Sequence, residues 1–226
     1  MSSSFQPHTV ETNDGIKLHT RVFKPKDSDS TIDTNNIIII LVHPYSVLGG
    51  SQGLLRGIAT GLAEKGYIAI TFDTRGAGRS TGRASLTGFA EINDVVAVCN
   101  WACDEMKVHR VLLVGSSAGA SISGSAVDKI KQVVGYVSLG YPFGLFASIL
   151  FGRHHKAILH SSIPKLFVMG TRDGFTTVGQ FEKKLSSAAG RVEKHLMPGV
   201  GHFQMEGVTF DAQMVNLIHD FIATLE

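Results

Sequence analysis

The stretch R-V-L-L-V-G-S-S-A-G, Arg110 to Gly119, runs an apolar segment straight into a Gly-x-Ser-x-Gly pattern. The apolar part reads as a buried strand, and residues from about 118 to 131 read as a helix. A serine between such a strand and helix sits on a sharp, strained turn with its hydroxyl clear of the sheet. In a chain of 226 residues with 25 glycines the pattern is weak by itself, so its surroundings decide. Ser117 has Gly115 and Gly119 as its frame, leaving room for helix and strand to approach. Ser116 would need glycine at 114 and 118, where Val114 and Ala118 stand, and reads as a hydrogen-bonding turn residue. The helix N-terminus behind Ser117 offers free N–H groups to developing negative charge.

Outward from this turn, buried strands alternate with helices. Strands are expected at 37–42, 67–72, 110–114, 133–139, 165–169 and 192–197, and helices at 52–65, 87–104, 118–131, 177–188 and 208–224. This alternation indicates an α/β fold, a mostly parallel doubly wound sheet covered on both faces. Ligands of such sheets bind beyond the carboxyl ends of the strands. Ahead of the core, T-V-E-T and K-L-H-T-R-V-F flank the turn Asn13-Asp14-Gly15, predicting an N-terminal antiparallel hairpin at the sheet edge. The polar stretch Lys24 to Asn36 reads as the linker between hairpin and core.

Length and composition predict a single domain over 1–226. Lysine plus arginine total 21 against 19 for aspartate plus glutamate, and they are scattered, so nucleic acid is not an expected partner. The longest apolar run, Ile37 to Val42, is too short to span a bilayer. No secretory signal is visible, and Cys99 and Cys103, four apart on one helical face, read as core thiols of a reducing compartment, so the expected location is cytoplasmic.

A serine nucleophile needs a base, and the base an orienting carboxylate. Asp173 follows strand 165–169 in G-T-R-D-G, and His202 follows strand 192–197 in P-G-V-G-H-F. The chain order Ser117, Asp173, His202 is the order of the α/β hydrolases. Asp211 falls in the last helix and is not expected to reach the imidazole. His154 and His155 lack metal-ligand spacing, and neither metal nor cofactor is expected.

These residues carry a resemblance. L-V-H-P-Y-S-V-L-G-G-S (41–51), F-D-T-R-G-A-G-R-S (72–80), G-S-S-A-G (115–119), G-T-R-D (170–173) and G-H-F (201–203) resemble the α/β-hydrolase superfamily over nearly the whole chain. The chain is most similar to its small, nearly lidless serine hydrolases, related to dienelactone hydrolases and short-chain carboxylesterases. The family has His-Gly after the first parallel core strand; here it is His43-Pro44, and proline has no N–H. The resemblance therefore implies an oxyanion hole from the N–H groups of Tyr45 and Ala118. It also makes D-T-R-G-A-G-R-S a structural turn rather than a phosphate loop, since the Gly-Lys-Ser/Thr ending is missing.

Only about 25 residues separate strand 133–139 from strand 165–169, enough for a minimal cap. Within them Phe143, Phe146 and Ile149, with Phe175 further on, are candidates for a substrate-binding wall, and Arg153 and Lys156 for contacts to an anionic substrate. The alternative is a short core helix followed by a solvated basic turn. The function expected is hydrolysis of small or short-acyl carboxylic esters or thioesters through an acyl-enzyme. A small-molecule receptor or interaction module on a hydrolase scaffold, and an acyltransferase or lyase with the same triad, remain open, as does the oligomeric state.

Overall fold

Ile37–Val42 is buried at every position and forms the centre of the sheet. The computed structural model describes residues 5–26 and 37–225, so positions 27–36 of the expected linker lie outside the described residues. The strands are β1 (Phe5–Glu11), β2 (Lys17–Phe23), β3 (Ile37–Val42), β4 (Ile68–Phe72), β5 (Arg110–Ser116), β6 (Val133–Leu139), β7 (Lys165–Gly170) and β8 (Val192–Met197). The α-helices are α1 (Arg56–Glu64), α2 (Glu91–Met106), α3 (Ala118–Gly124), α4 (Leu145–Phe151), α5 (His155–His160), α6 (Val178–Leu185) and α7 (Asp211–Ile222). The eight strands form one sheet in the order β1-β2-β4-β3-β5-β6-β7-β8. The hairpin β1–β2 and the β2–β4 pair are antiparallel, and the pairs from β4 to β8 are parallel. This is the α/β-hydrolase fold.

Side-chain alternation divides the core into two layers. Ile38, Ile40 and Val42 face Val95, Ala120, Ile158 and Phe181 of α2, α3, α5 and α6. Ile37, Ile39 and Leu41 face Ile58 and Leu62 of α1 and Met214 and Ile218 of α7. The chain leaves β3 through α1 for β4 on one side, then returns through α2 to β5 on the other. Strand order reverses there, and a crevice opens between the carboxyl ends of β3 and β5. Register pairs Val42 with Gly115, which brings the segments beginning at His43 and Ser116 side by side.

Three expected helices include a 3-10 turn: 208–224 opens with one at Val208–Phe210, and the other two are broken for local reasons. The 118–131 segment ends its α-helix at Gly124 and continues as a 3-10 turn, Val127–Lys129. Its S-I-S-G-S sequence has low helix propensity, and Ser123 Oγ bonds back to the Gly119 carbonyl at 2.7 Å. The 52–65 segment opens as a 3-10 turn because Gln52 is occupied elsewhere. Its buried backbone N–H and side chain donate to the two Asp73 carboxylate oxygens at 3.0 and 2.9 Å, and its amide oxygen accepts from Thr71 Oγ1 at 2.9 Å. Arg75 is also structural: it bonds Asp94 at 2.7 Å and Asp14 at 2.9 Å, tying α2 to the hairpin turn. No helix among the described residues is long and apolar enough to cross a membrane.

Candidate functional site

Ser117 stands between β5 and α3 in a backbone conformation, φ 53 and ψ −121, that a side-chain-bearing residue rarely adopts. The strain is held by close packing on both sides. A β-carbon on Gly115 would lie 2.3 Å from Ser123 Oγ, and one on Gly119 would lie 2.3 Å from the His43 carbonyl oxygen. The Ser117 N–H donates to the Leu139 carbonyl of β6 at 2.9 Å, fixing the turn to the neighbouring strand.

The hydroxyl so presented meets the histidine singled out from the sequence. Ser117 Oγ lies 2.8 Å from His202 Nε2, and His202 Nδ1 lies 2.6 Å from Asp173 Oδ2. A carboxylate only accepts, so Nδ1 carries the ring proton and Nε2 is left to accept from the serine. The other Asp173 oxygen, Oδ1, accepts from the Phe175 and Thr176 N–H groups at 2.7 and 2.9 Å, which fixes the carboxylate's orientation. Both Asp173 and His202 are buried, and the Phe175 and Phe203 rings stand edge-on to the imidazole at 4.6 and 5.5 Å. Such a line can draw the proton from Oγ and stabilise the imidazolium that results.

A cavity of about 390 Å³ opens beside Ser117, with Tyr45 and Ala118 in its lining. His43 is buried beneath it. The Thr74 N–H donates to His43 Nε2 at 3.0 Å, so Nδ1 carries the proton and donates to the Pro44 carbonyl at 2.6 Å. Burial pushes the His43 pKa below the usual histidine value, which keeps the ring in this neutral form. Since the peptide is trans, the carbonyl held by His43 turns the Tyr45 N–H to the opposite side.

The structure divides the expected wall residues. Phe146 and Phe175 line the cavity, whereas Phe143 and Ile149 do not. Phe143 is 2% exposed and stacks on Tyr141 at 4.2 Å, because its N–H is tied to Thr176 Oγ1 and its ring turns into the core. Phe146, Ala147 and Leu150 supply the cavity face of α4; Ile149 does not line it, and like Phe146 it is largely solvent-exposed. The basic residues are also elsewhere. Arg153 lies over the Phe89 ring at 5.0 Å, and neither it nor Lys156 lines the cavity. The sequence reading missed Leu48, Leu54, Phe151, Phe203 and Glu206, which also line the cavity. The signal for Leu48 and Phe203 lay within the quoted stretches 41–51 and 201–203, adjacent to residues already singled out.

Among solved structures, an alpha-beta serine hydrolase homologue from Coxiella burnetii is 24% identical with a TM-score of 0.76, over 98% of this chain and 97% of that one. A serine hydrolase without lid from Xanthomonas campestris is 20% identical with a TM-score of 0.79, over 99% and 95%. An esterase from Pyrococcus furiosus is 19% identical with a TM-score of 0.77, over 98% and 93%. At these identities the likeness is one of fold. In sequence, an uncharacterized 31.7 kDa protein of the traX-finO intergenic region of Escherichia coli is 35% identical over 104 residues, 45% of this chain and 36% of that protein. The match thus spans about a third of that relative's length. The model of the X-Pro dipeptidyl-peptidase (S15) family matches residues 14–133, more than half of the chain, with Ser117 inside the match and Asp173 and His202 beyond it. By that match the chain belongs to the X-Pro dipeptidyl-peptidase (S15) family, within the α/β-hydrolase superfamily.

Proposed function

We propose that the protein is a serine hydrolase of small or short-acyl carboxylic esters or thioesters. The observation that carries this reading is the hydrogen-bonded line from Ser117 Oγ through His202 to Asp173, opening on an apolar cavity. His202 Nε2 takes the Ser117 proton as Oγ bonds the acyl carbon, and the carbonyl electron pair moves onto oxygen. The N–H groups of Tyr45 and Ala118 hold that oxyanion. Collapse of the adduct breaks the bond to the alcohol or thiol, which leaves with the proton from His202. Water then attacks the acyl-enzyme, gives its proton to His202, and the acid departs as Ser117 regains its hydrogen.

The cavity volume supports the short-acyl preference, since about 390 Å³ is near the lower end of ligand pockets, which run about 300–1,000 Å³. A panel of p-nitrophenyl esters tests it: kcat/KM should be highest for acetate to butyrate and fall for long chains. Faster turnover of palmitate than of butyrate would overturn the short-acyl reading.

The family match favours a second reading, in which the acyl group is an X-Pro dipeptide and the bond an amide. The same residues would act, with an amine as the leaving group. Comparing Ala-Pro p-nitroanilide with p-nitrophenyl acetate separates the two, and preference for the anilide would replace the ester reading.

A further inference from the structure

Among the described residues that line the cavity beside Ser117, Glu206 is the one carboxylic acid, and no lysine, arginine or histidine joins it. The rest of the lining is glycine, proline, aliphatic and aromatic, apart from Ser117 and the Tyr45 phenol. That phenol donates to the Leu86 carbonyl at 2.7 Å, so its hydrogen is already placed.

Glu206 is anchored with respect to the reacting atoms. It follows His202 by four residues in a run of turns, with the Met205 N–H on the His202 carbonyl at 3.3 Å and the Gly207 N–H on the Gln204 carbonyl at 3.0 Å. Met205 is buried, and its methyl group packs so near Gly140 that a β-carbon there would lie 2.9 Å away. With Leu54, Glu206 forms the divide between this cavity and a second groove of about 990 Å³ along α1 and α7. Arg56, Glu64, Lys65 and Asp211 belong to that second groove and not to the cavity. The carboxyl is near enough to the Ser117 line to feel both His202 and Asp173, and its half-buried setting raises its pKa, with Asp173 adding to the rise and His202 opposing it.

We propose that Glu206 selects substrates by charge: the cavity takes neutral or, preferentially, cationic groups such as an ammonium, and rejects carboxylates and phosphates. The inference rests on the hydrolase reading of Ser117 for its kinetic consequence, but the selection acts at binding. Glu206 is half-buried beside mainly apolar walls, so its carboxylate is less screened than one on an open surface, and a cation gains and an anion loses correspondingly more. It also inverts the expectation of an anionic substrate met by Arg153 and Lys156.

The test uses three p-nitrophenyl esters of matched shape whose acyl chains end in trimethylammonium, tert-butyl or carboxylate. The expected order of kcat/KM is cation, neutral, anion, with about 10- to 100-fold between the extremes. Glu206→Gln should bring the cation-to-anion ratio down at least about tenfold, and Glu206→Lys should reverse it. The readout is a ratio within one preparation, so a general loss of activity does not imitate it. A wild-type ratio near one, or a ratio unchanged in Glu206→Gln, overturns the proposal. The matching amides, titrated by calorimetry, keep the two readings apart. No ester turnover with charge-ordered amide binding overturns the hydrolase reading alone, whereas equal binding of the three amides overturns the role of Glu206.

Discussion

The His43 ring grips the Pro44 carbonyl, Nδ1 to O at 2.6 Å, and that carbonyl shares its peptide unit with the Tyr45 N–H. The ring thus fixes the direction of a proposed oxyanion donor without touching substrate. His43→Ala should lower kcat by about 10²–10³, the loss usual for an oxyanion-hole donor, while KM changes little. His43→Asn can place an amide N–H where Nδ1 stands and should restore much of the rate. Kinetics of both variants, with denaturant melts to confirm folding, check this. Equal rates in His43→Ala and wild type would mean the Tyr45 peptide needs no such support.

The glycine frame and the 2.8 Å contact to His202 make Ser117, not Ser116, the residue to modify. Ser117→Ala should abolish both esterase activity and labelling by a fluorophosphonate, and Ser116→Ala should retain much of both. Asp173→Asn should lower kcat by about 10⁴, by analogy with the orienting aspartate of serine proteases. Asp211→Asn, at the start of α7, should act mildly. Near-normal turnover in the Asp173 variant would require another carboxylate behind His202.

What the sequence conveyed about this site follows from how local each cause is. Uninterrupted apolar runs such as Ile37 to Val42 have no partner but a sheet buried on both faces, and Gly115 and Gly119 mark a close approach wherever the chain leads. Ser117, Asp173 and His202 each stand just past the end of a strand, so the parallel sheet brings them to one edge. Phe143 and Ile149 were misplaced because an apolar residue in a short connection serves core, cavity or surface equally well. Only the docking of α4 separates Phe146 from Ile149. Glu206 gives no signal by itself: a glutamate in a loop reads as solvated until the apolar walls around it are known. Gln52 is the same case inside the core, a helix-compatible residue whose bonds to Asp73 and Thr71 are set 21 and 19 residues away.

Arg75 bridges two carboxylates of very different exposure. The Asp94 side chain is fully buried, while that of Asp14 is half exposed. Removing the guanidinium leaves Asp94 desolvated without its cation, a change that costs about 3–5 kcal/mol in comparable buried pairs. Arg75→Ala should therefore lower unfolding stability by that order, and Asp14→Asn by much less, because water and salt screen an exposed pair. Urea melts at neutral pH measure both. Similar small losses in the two variants would show that Asp94 finds other partners.

His155 supplies a test in pH. It is buried, with the rings of Tyr141 and Phe143 standing edge-on at 5.5 and 5.1 Å, and its Nε2 has no hydrogen-bond partner. Burial pulls its pKa down from 6.5 to about 4, with Lys184 and His154 adding positive charge nearby and a bond to the Pro142 backbone opposing the shift. Between those values the unfolded chain takes up a proton that the folded chain refuses. Its contribution is therefore present in full above the unfolded value and declines as pH falls toward the folded one. The slope for one such group approaches about 1.4 kcal/mol per pH unit. His43 and His154, also lowered by burial, act in the same direction, so the whole protein should lose stability on acidification from neutral pH. His155→Phe keeps an aromatic ring against Tyr141 and Phe143 and removes one titrating group. Its stability, measured by denaturant melts at half-unit steps from pH 7 to pH 5, should fall less steeply than that of the wild type. Parallel slopes would mean that His155 is protonated in the folded protein, and that its unpartnered nitrogen finds an acceptor as the pH falls.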